Sequence, residues 1–306
     1  MTRGMQELSA SFVVAAVGAT WGCWWIFLRL IEAKEISPGW TLAVVYGAAA
    51  IALIPLFACR WRHWRAMPWP VIAVGVAYAM PLAFWSHAVI HGSVVRVTLL
   101  FYLTPVWGTL LAVAAFRERL TPLRLAAVIL GVIGATVVLG TEDGLPVPAT
   151  PQEWMALLAG ALFALAAAAS RKWPAVSGYD SSFVMFAACA ALGIVFASLF
   201  SAEMTPAARS VLAALPLVVV LAVVIAIPSQ FLLAWAATKL DPGRVSTLIL
   251  FDVIATTVSA SILTDDPFGW SEIIGCVVVL AAGFASGFDQ MRQGRAALAQ
   301  QTATSA

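Results

Sequence analysis

Long apolar runs, broken by short clusters of charge, Gly and Pro, recur along the whole chain. A helix that crosses a membrane needs about 20 mostly apolar residues, and the pattern supplies ten such stretches. They are Ser9–Leu30, Gly39–Cys59, Pro70–Ile90, Val94–Phe116 and Pro122–Gly140, then Glu153–Ser170, Ser181–Phe200, Leu215–Thr238, Val245–Leu263 and Gly269–Phe288. A polar stretch, 141–152, separates the fifth from the sixth and reads as an external linker. After Phe288 the residues turn small and polar, the composition of a disordered tail over 289–306. The pattern predicts an all-α membrane protein of ten transmembrane helices, divided into five-helix units at 1–140 and 153–288.

Composition sharpens this picture. Of 306 residues, 62% are hydrophobic and 10% charged, against roughly 25% charged in soluble domains. The mean hydropathy is +0.95. Too few charges exist to cover a soluble surface, and no loop is long enough to fold alone. A soluble enzyme, a nucleic-acid binder and a single-anchored ectodomain are excluded. Cys23, Cys59, Cys189 and Cys276 are scattered through apolar stretches without metal-ligand spacing and read as helix-packing residues. No metal or cofactor is expected. The amino-terminal run continues through Trp24 and Trp25 into Arg29 without a small-residue cleavage pattern, so it reads as a retained first span. Most Lys and Arg, including Arg60, Arg62, Arg65, Arg124, Lys172 and Arg244, fall on the side of the amino terminus. By the positive-inside rule both termini are expected in the cytoplasm, as in an inner (plasma) membrane protein.

The two halves echo one another. A shift of 148 residues lays Arg96-Val97-Thr98 on Arg244-Val245-Ser246, and a shift of 142 lays Gly18 on Gly160. Five spans per repeat would put the second half upside down relative to the first. Inverted repeats around a central cavity are a recurring transporter design, with the substrate site near the bilayer midplane.

Candidate chemistry gathers near that depth. Asp252 is the one acid near the centre of a predicted span, with Thr256 and Ser259 on the same helical face. It reads as a substrate contact or a coupling-ion site; the alternative is a structural carboxyl. The corresponding span of the first half carries Thr98 and Tyr102, with Arg96 at its outer end to attract a carboxylate or to reach lipid head groups. Pro81 and Pro228 interrupt corresponding spans and Pro105 lies midway along the fourth, three predicted kinks. Gln230, just after Pro228, is a plausible partner for Asp252. Trp24, Trp85 and His87 are candidates for an aromatic pocket wall, with core packing as the alternative; His87 and His91 alone lack the further ligands of a metal site. Small-residue faces at Gly131 with Ala135, and Gly283 with Gly287, predict close helix contact, between the halves or in a homodimer.

The chain resembles the ten-helix EamA-type members of the drug/metabolite transporter superfamily. The resemblance rests on Trp21-Gly22, on Arg96-Val-Thr-Leu-Leu-Phe-Tyr-Leu-Thr-Pro105, and on Glu118-Arg-Leu-Thr121. It implies a basket in which spans 1, 3, 4, 6, 8 and 9 surround a cavity, and export of small metabolites by alternating access. The Phe101–Pro105 segment is similar to members that export amino acids, aromatic ones among them. The second half departs from the pattern: Val253 stands where Pro105 would recur, and its acid turn reads Thr-Asp-Asp-Pro267. The lead expectation is a secondary transporter exporting small amphipathic metabolites, amino acids first. Proton-coupled efflux of drugs or organic cations is the alternative, and a non-transporting sensor or scaffold is the alternative of another class. The chain has no HExxH and no GxSxG, and the reading is of a non-enzyme.

Overall fold

Several helices begin at a proline or a capping side chain that the sequence supplies. The computed structural model describes residues 3–116, 120–139, 147–200, 205–264 and 269–304. The first half comprises α1 (Arg3–Gly22), α2 (Trp24–Glu32), α3 (Pro38–Cys59), α4 (Trp61–Ala66), α5 (Pro68–His91), α6 (Val94–Phe101), α7 (Thr104–Phe116) and α8 (Pro122–Leu139). The second comprises α9 (Pro151–Lys172), α10 (Gly178–Phe200), α11 (Ala208–Val219), α12 (Ile227–Ala237), α13 (Pro242–Leu248), α14 (Phe251–Leu263) and α15 (Trp270–Thr304), with a π-helical segment Val220–Ala226 between α11 and α12. No strand occurs among the described residues. The protein is an all-α membrane protein.

Nine helical stretches among the described residues are long and apolar enough to cross a bilayer. They match every predicted span but the second, where α3 has 22 residues and its apolar stretch, Pro38–Ala52, is shorter. Pro38, Pro68 and Pro151 each sit in a first helical turn, where a missing N–H leaves no bond unmade. At α9 a capping box completes the start: the Thr150 hydroxyl accepts from the Glu153 N–H while the Glu153 carboxylate accepts from the Thr150 N–H. The far end of α5 is closed by Arg29, which donates to the carbonyls of Gly92 at 2.6 Å and Val89 at 3.2 Å.

Packing couples the halves throughout. Helix α3 lies along α10, α8 along α15, α5 along α9 and α10, and α1 along α14 and α12. Trp24, Leu28, Tyr46, Phe186, Leu221 and Val253 belong to one buried cluster that draws on both halves. On the outside, Ile51, Ile129, Leu199, Val224 and Ile262 are exposed, an apolar surface that suits acyl chains. The α8–α15 contact is reciprocal. A Cβ on Gly134 would come within 3.0 Å of Val279, and one on Gly275 would collide with Val138.

Three expectations are corrected. The tail is not disordered over 289–304: α15 continues to Thr304, because this stretch, though polar, is rich in Ala, Gln and Arg, which are strong helix formers. The small-residue faces singled out from sequence pack inside the chain, and nothing supports their use in a homodimer. Gly131 packs on Val106, Gly283 on Leu250 and Gly287 on Thr247, while Ala135 packs against the core cluster. The prolines do not all break helices. Helix α5 runs unbroken through Pro81, whereas the helix ahead of Pro228 widens to the π form, and Pro105 is the second residue of α7 rather than a mid-helix kink.

Candidate functional site

The fourth and ninth spans, which the sequence lays on one another, are each divided near their middle. Between α6 and α7 the backbone tightens to i→i−3 bonds: Leu103 N–H to Leu100 O at 3.2 Å and Val106 N–H to Leu103 O at 2.9 Å. Between α13 and α14 the same pair recurs, Leu250 N–H to Thr247 O at 3.3 Å and Val253 N–H to Leu250 O at 3.1 Å. The first break stands just before Pro105; the second has no proline at all. Tyr102 lies at the first break, and Asp252 lies in the first turn of α14, just past the second. A helix N-terminus favours negative charge, so this half-helix start suits a carboxylate.

The two breaks meet. The Tyr102 hydroxyl donates to Asp252 Oδ2 at 2.5 Å, and the Thr256 hydroxyl donates to Oδ1 at 3.2 Å. Asp252 is 9% exposed. Its partners are neutral hydroxyls, which direct dipoles at the carboxylate and leave its charge for a proton or a cationic group to balance. Gly22, the last residue of α1, lies against the backbone of α14; a Cβ there would stand 2.5 Å from the Asp252 carbonyl oxygen and 2.6 Å from Ala255 Cβ. One turn along, Ser259 accepts from the Trp25 indole N–H at 3.1 Å and donates toward the carbonyl of Thr256 at 3.1 Å. The stripe Asp252–Thr256–Ser259 therefore joins the ninth span to the fourth and the first.

Tyr102, Asp252 and Thr256 are brought together from the residues the sequence singles out. Thr98 is one turn before Tyr102, buried, with a hydroxyl that has no partner among the described residues. Trp24 is buried and stacks on Tyr46, ring centroids 6.2 Å apart, while the Tyr46 hydroxyl bonds Ser86 at 2.7 Å. Trp85 is half-buried against the core cluster. Gln230 is not the partner of Asp252: its side-chain N–H points at the Met185 sulfur, 3.3 Å away, because α12 packs toward α10 at this level. His87 rests between Phe196 and Phe200, centroids 5.0 and 5.5 Å away, whereas His91 faces Glu32 at 3.9 Å. The two imidazoles do not converge. Trp25, Ser259 and Gly22 are contacts of the site that the polar stripe alone does not name. Trp25→Phe removes one neutral hydrogen bond and should lower the melting temperature by the equivalent of about 1 kcal/mol, read by thermal unfolding in detergent.

Arg96 is held by protein carboxylates. It lies 3.6 Å from Glu153 and 3.7 Å from Glu272, residues that are 5% and 3% exposed. These two acids already occupy the position that a substrate carboxylate was expected to take. At the other end of the bundle Arg244 faces Glu7 at 3.9 Å, with both side chains more than a third exposed. Two further pairs close that end, Arg60 with Asp180 at 2.7 Å and Arg124 with Asp289 at 3.0 Å. Thr121, from the acid turn, also donates to Asp289 at 2.7 Å, while Glu118 of the same motif lies outside the described residues.

The fourth span, which carries Pro105, is divided, and its proline stands at the start of the second half-helix inside a bundle of apolar helices. Residues 8–140 match the EamA-like transporter family. The EamA-like match covers the first repeat as read from sequence and contains Tyr102, Arg96 and Gly22. It is consistent with a member of the drug/metabolite transporter superfamily, and it makes a multi-pass membrane transporter the coarse reading of the chain. No curated protein matches the sequence. A crystal structure of a protein 20% identical covers 92% of this chain and 98% of its own, with a TM-score of 0.56. At that identity the likeness concerns the fold alone.

Proposed function

We propose that the protein is a secondary transporter that exports small amphipathic metabolites carrying an amino group, amino acids first among them, by alternating access. The observation that carries this reading is the Tyr102–Asp252 contact between two interrupted helices. Interruptions at corresponding places in two halves point to a binding site. Asp252 meets the substrate amine, Tyr102 and Thr256 orient the carboxylate, and the aromatic side chains of Trp24 and Trp85 face the apolar part of the substrate. The cell inner membrane, with both termini in the cytoplasm, is the proposed location.

The inverted construction is part of the same proposal. Reciprocal pairs support it: Gly134 on Val279 with Gly275 on Val138, and Gly18 on the Ile249 carbonyl with Gly160 on that of Phe101. The Arg–Glu pairs support it too. Arg96 meets Glu153 where the sixth span starts, and Arg244 meets Glu7 where the first span starts. In this reading they are matching clasps at opposite faces, one holding the outer end shut and the other the inner. Arg96→Gln leaves two carboxylates facing each other without a cation. In a background with Cys23, Cys59, Cys189 and Cys276 replaced, it should raise maleimide labelling of Thr98→Cys from the outside by about tenfold. Arg244→Gln should lower it. Equal labelling rates in all three backgrounds would remove the clasps from the mechanism.

A second reading, proton-coupled efflux of organic cations, is favoured by one observation. Arg96 is engaged by Glu153 and Glu272, and the partners of Asp252 are hydroxyls, so a substrate without a carboxylate is accommodated as readily. Competition in everted vesicles separates the two. Amino acids that compete while their decarboxylated amines do not support the first reading; the reverse order supports the second.

A further inference from the structure

Away from Asp252, a groove runs between α1 and α12. Its walls are Phe12, Ala16 and Thr20 on one side and Val224, Pro228 and Leu232 on the other, with Phe12 75% and Val224 62% exposed. From Phe12 to Thr20 it follows α1 for eight residues, about 12 Å, close to the roughly 15 Å of one leaflet's hydrocarbon. Below Phe12, toward the end of the bundle that carries the amino terminus, a polar pocket lies between the start of α1 and the turn that leads from α12 into α13. Glu7, Lys239, Asp241 and Arg244 line it. Two cations and two anions therefore stand at the foot of an apolar crevice that opens to the membrane.

We infer that this crevice is a binding site for one phospholipid with a zwitterionic phosphoethanolamine headgroup. An acyl chain lies in the Phe12–Leu232 groove, the phosphate meets Lys239 and the ammonium meets Asp241, beside the Arg244–Glu7 pair. The charge pattern selects the headgroup. A purely basic pocket between transmembrane helices suits an anionic lipid; here the two acids repel a second negative charge and supply acceptors for an N–H donor. The π-helical segment Val220–Ala226 contributes Val224 and Ile225 to the groove, and Pro228 follows one turn later. The inference does not depend on the substrate, and its readout is lipid binding rather than transport.

The test uses the purified full chain, delipidated in detergent, titrated with mixed micelles doped with phosphatidylethanolamine, phosphatidylglycerol or phosphatidylcholine and read by native mass spectrometry. Phosphatidylethanolamine should be retained as a single adduct, about tenfold more tightly than the other two. Lys239→Gln should weaken all three lipids, Asp241→Asn should abolish the preference for phosphatidylethanolamine, and Ala16→Trp, which fills the groove, should remove the adduct. Both charged positions are exposed, so these variants fold. Equal or tighter retention of phosphatidylglycerol, binding of all three lipids without preference, or an adduct indifferent to Asp241→Asn and Ala16→Trp would overturn the assignment.

Discussion

Asp252→Asn is expected to cut transport of an amine-bearing substrate by about 10- to 100-fold while leaving the fold intact. A hydrogen bond to a charged group contributes about 1.5–3 kcal/mol, and each 1.4 kcal/mol is a factor of ten. The amide keeps the size of the carboxyl and one of its oxygens, so either the Tyr102 or the Thr256 hydroxyl retains its acceptor. What is lost is the negative charge. The melting temperature should therefore move by only a few degrees, which separates a substrate contact from a structural carboxyl. Uptake into everted vesicles is the measurement, with Tyr102→Phe as the milder companion, since it removes the orienting bond and keeps the charge. Transport by Asp252→Asn equal to wild type would take Asp252 out of the mechanism.

Gly22→Ala is expected to destabilise the protein although alanine is the better helix former. Helix propensity favours Ala over Gly by about 1 kcal/mol. Against it, the new Cβ would stand 2.5 Å from the Asp252 carbonyl oxygen, 2.6 Å from Ala255 Cβ and 2.7 Å from the Thr256 backbone nitrogen. Two of these are backbone atoms that no rotamer change can move aside. Overpacking of this kind costs about 1–3 kcal/mol, and the higher part of that range decides the sign. The first span must separate from α14, so the Trp25–Ser259 bond should weaken and transport should fall with stability. Thermal unfolding in detergent reads the first effect and vesicle uptake the second. A Gly22→Ala protein as stable as wild type would mean that α1 and α14 do not approach this closely.

The spans were readable because each is a long apolar run whose ends carry a charge, a proline or a cap, and lipid leaves an isolated apolar run of that length few alternatives. Asp252 was readable for the same reason inverted: a charge at that depth needs a local partner. Its partner was not readable. Gln230 and Tyr102 stand at similar depth in sequence, and only the crossing of α12 toward α10, and of the α6–α7 break toward α14, decides between them. The break at Ile249–Leu250 carries no proline and no glycine, so nothing local announces it. From sequence Arg96 faces either a substrate carboxylate or lipid head groups, because its actual partners Glu153 and Glu272 lie 57 and 176 residues away. The tail misled through its polarity. Polarity rules out lipid contact, whereas helix propensity is a separate property, and 289–304 has both.

The opening membrane crossing is stitched to two different bodies. Its lower portion, α1, travels with α12, α13 and α14, while its upper portion, α2, is fastened to α3, α5 and α11, with the Arg29 guanidinium tied to the carbonyls of Val89 and Gly92. Between them Cys23 holds non-helical backbone. Any displacement of the Asp252 group against the Arg29 group therefore bears on that residue and on the Trp25–Ser259 bond that spans it, which makes this stretch the elbow of the first crossing.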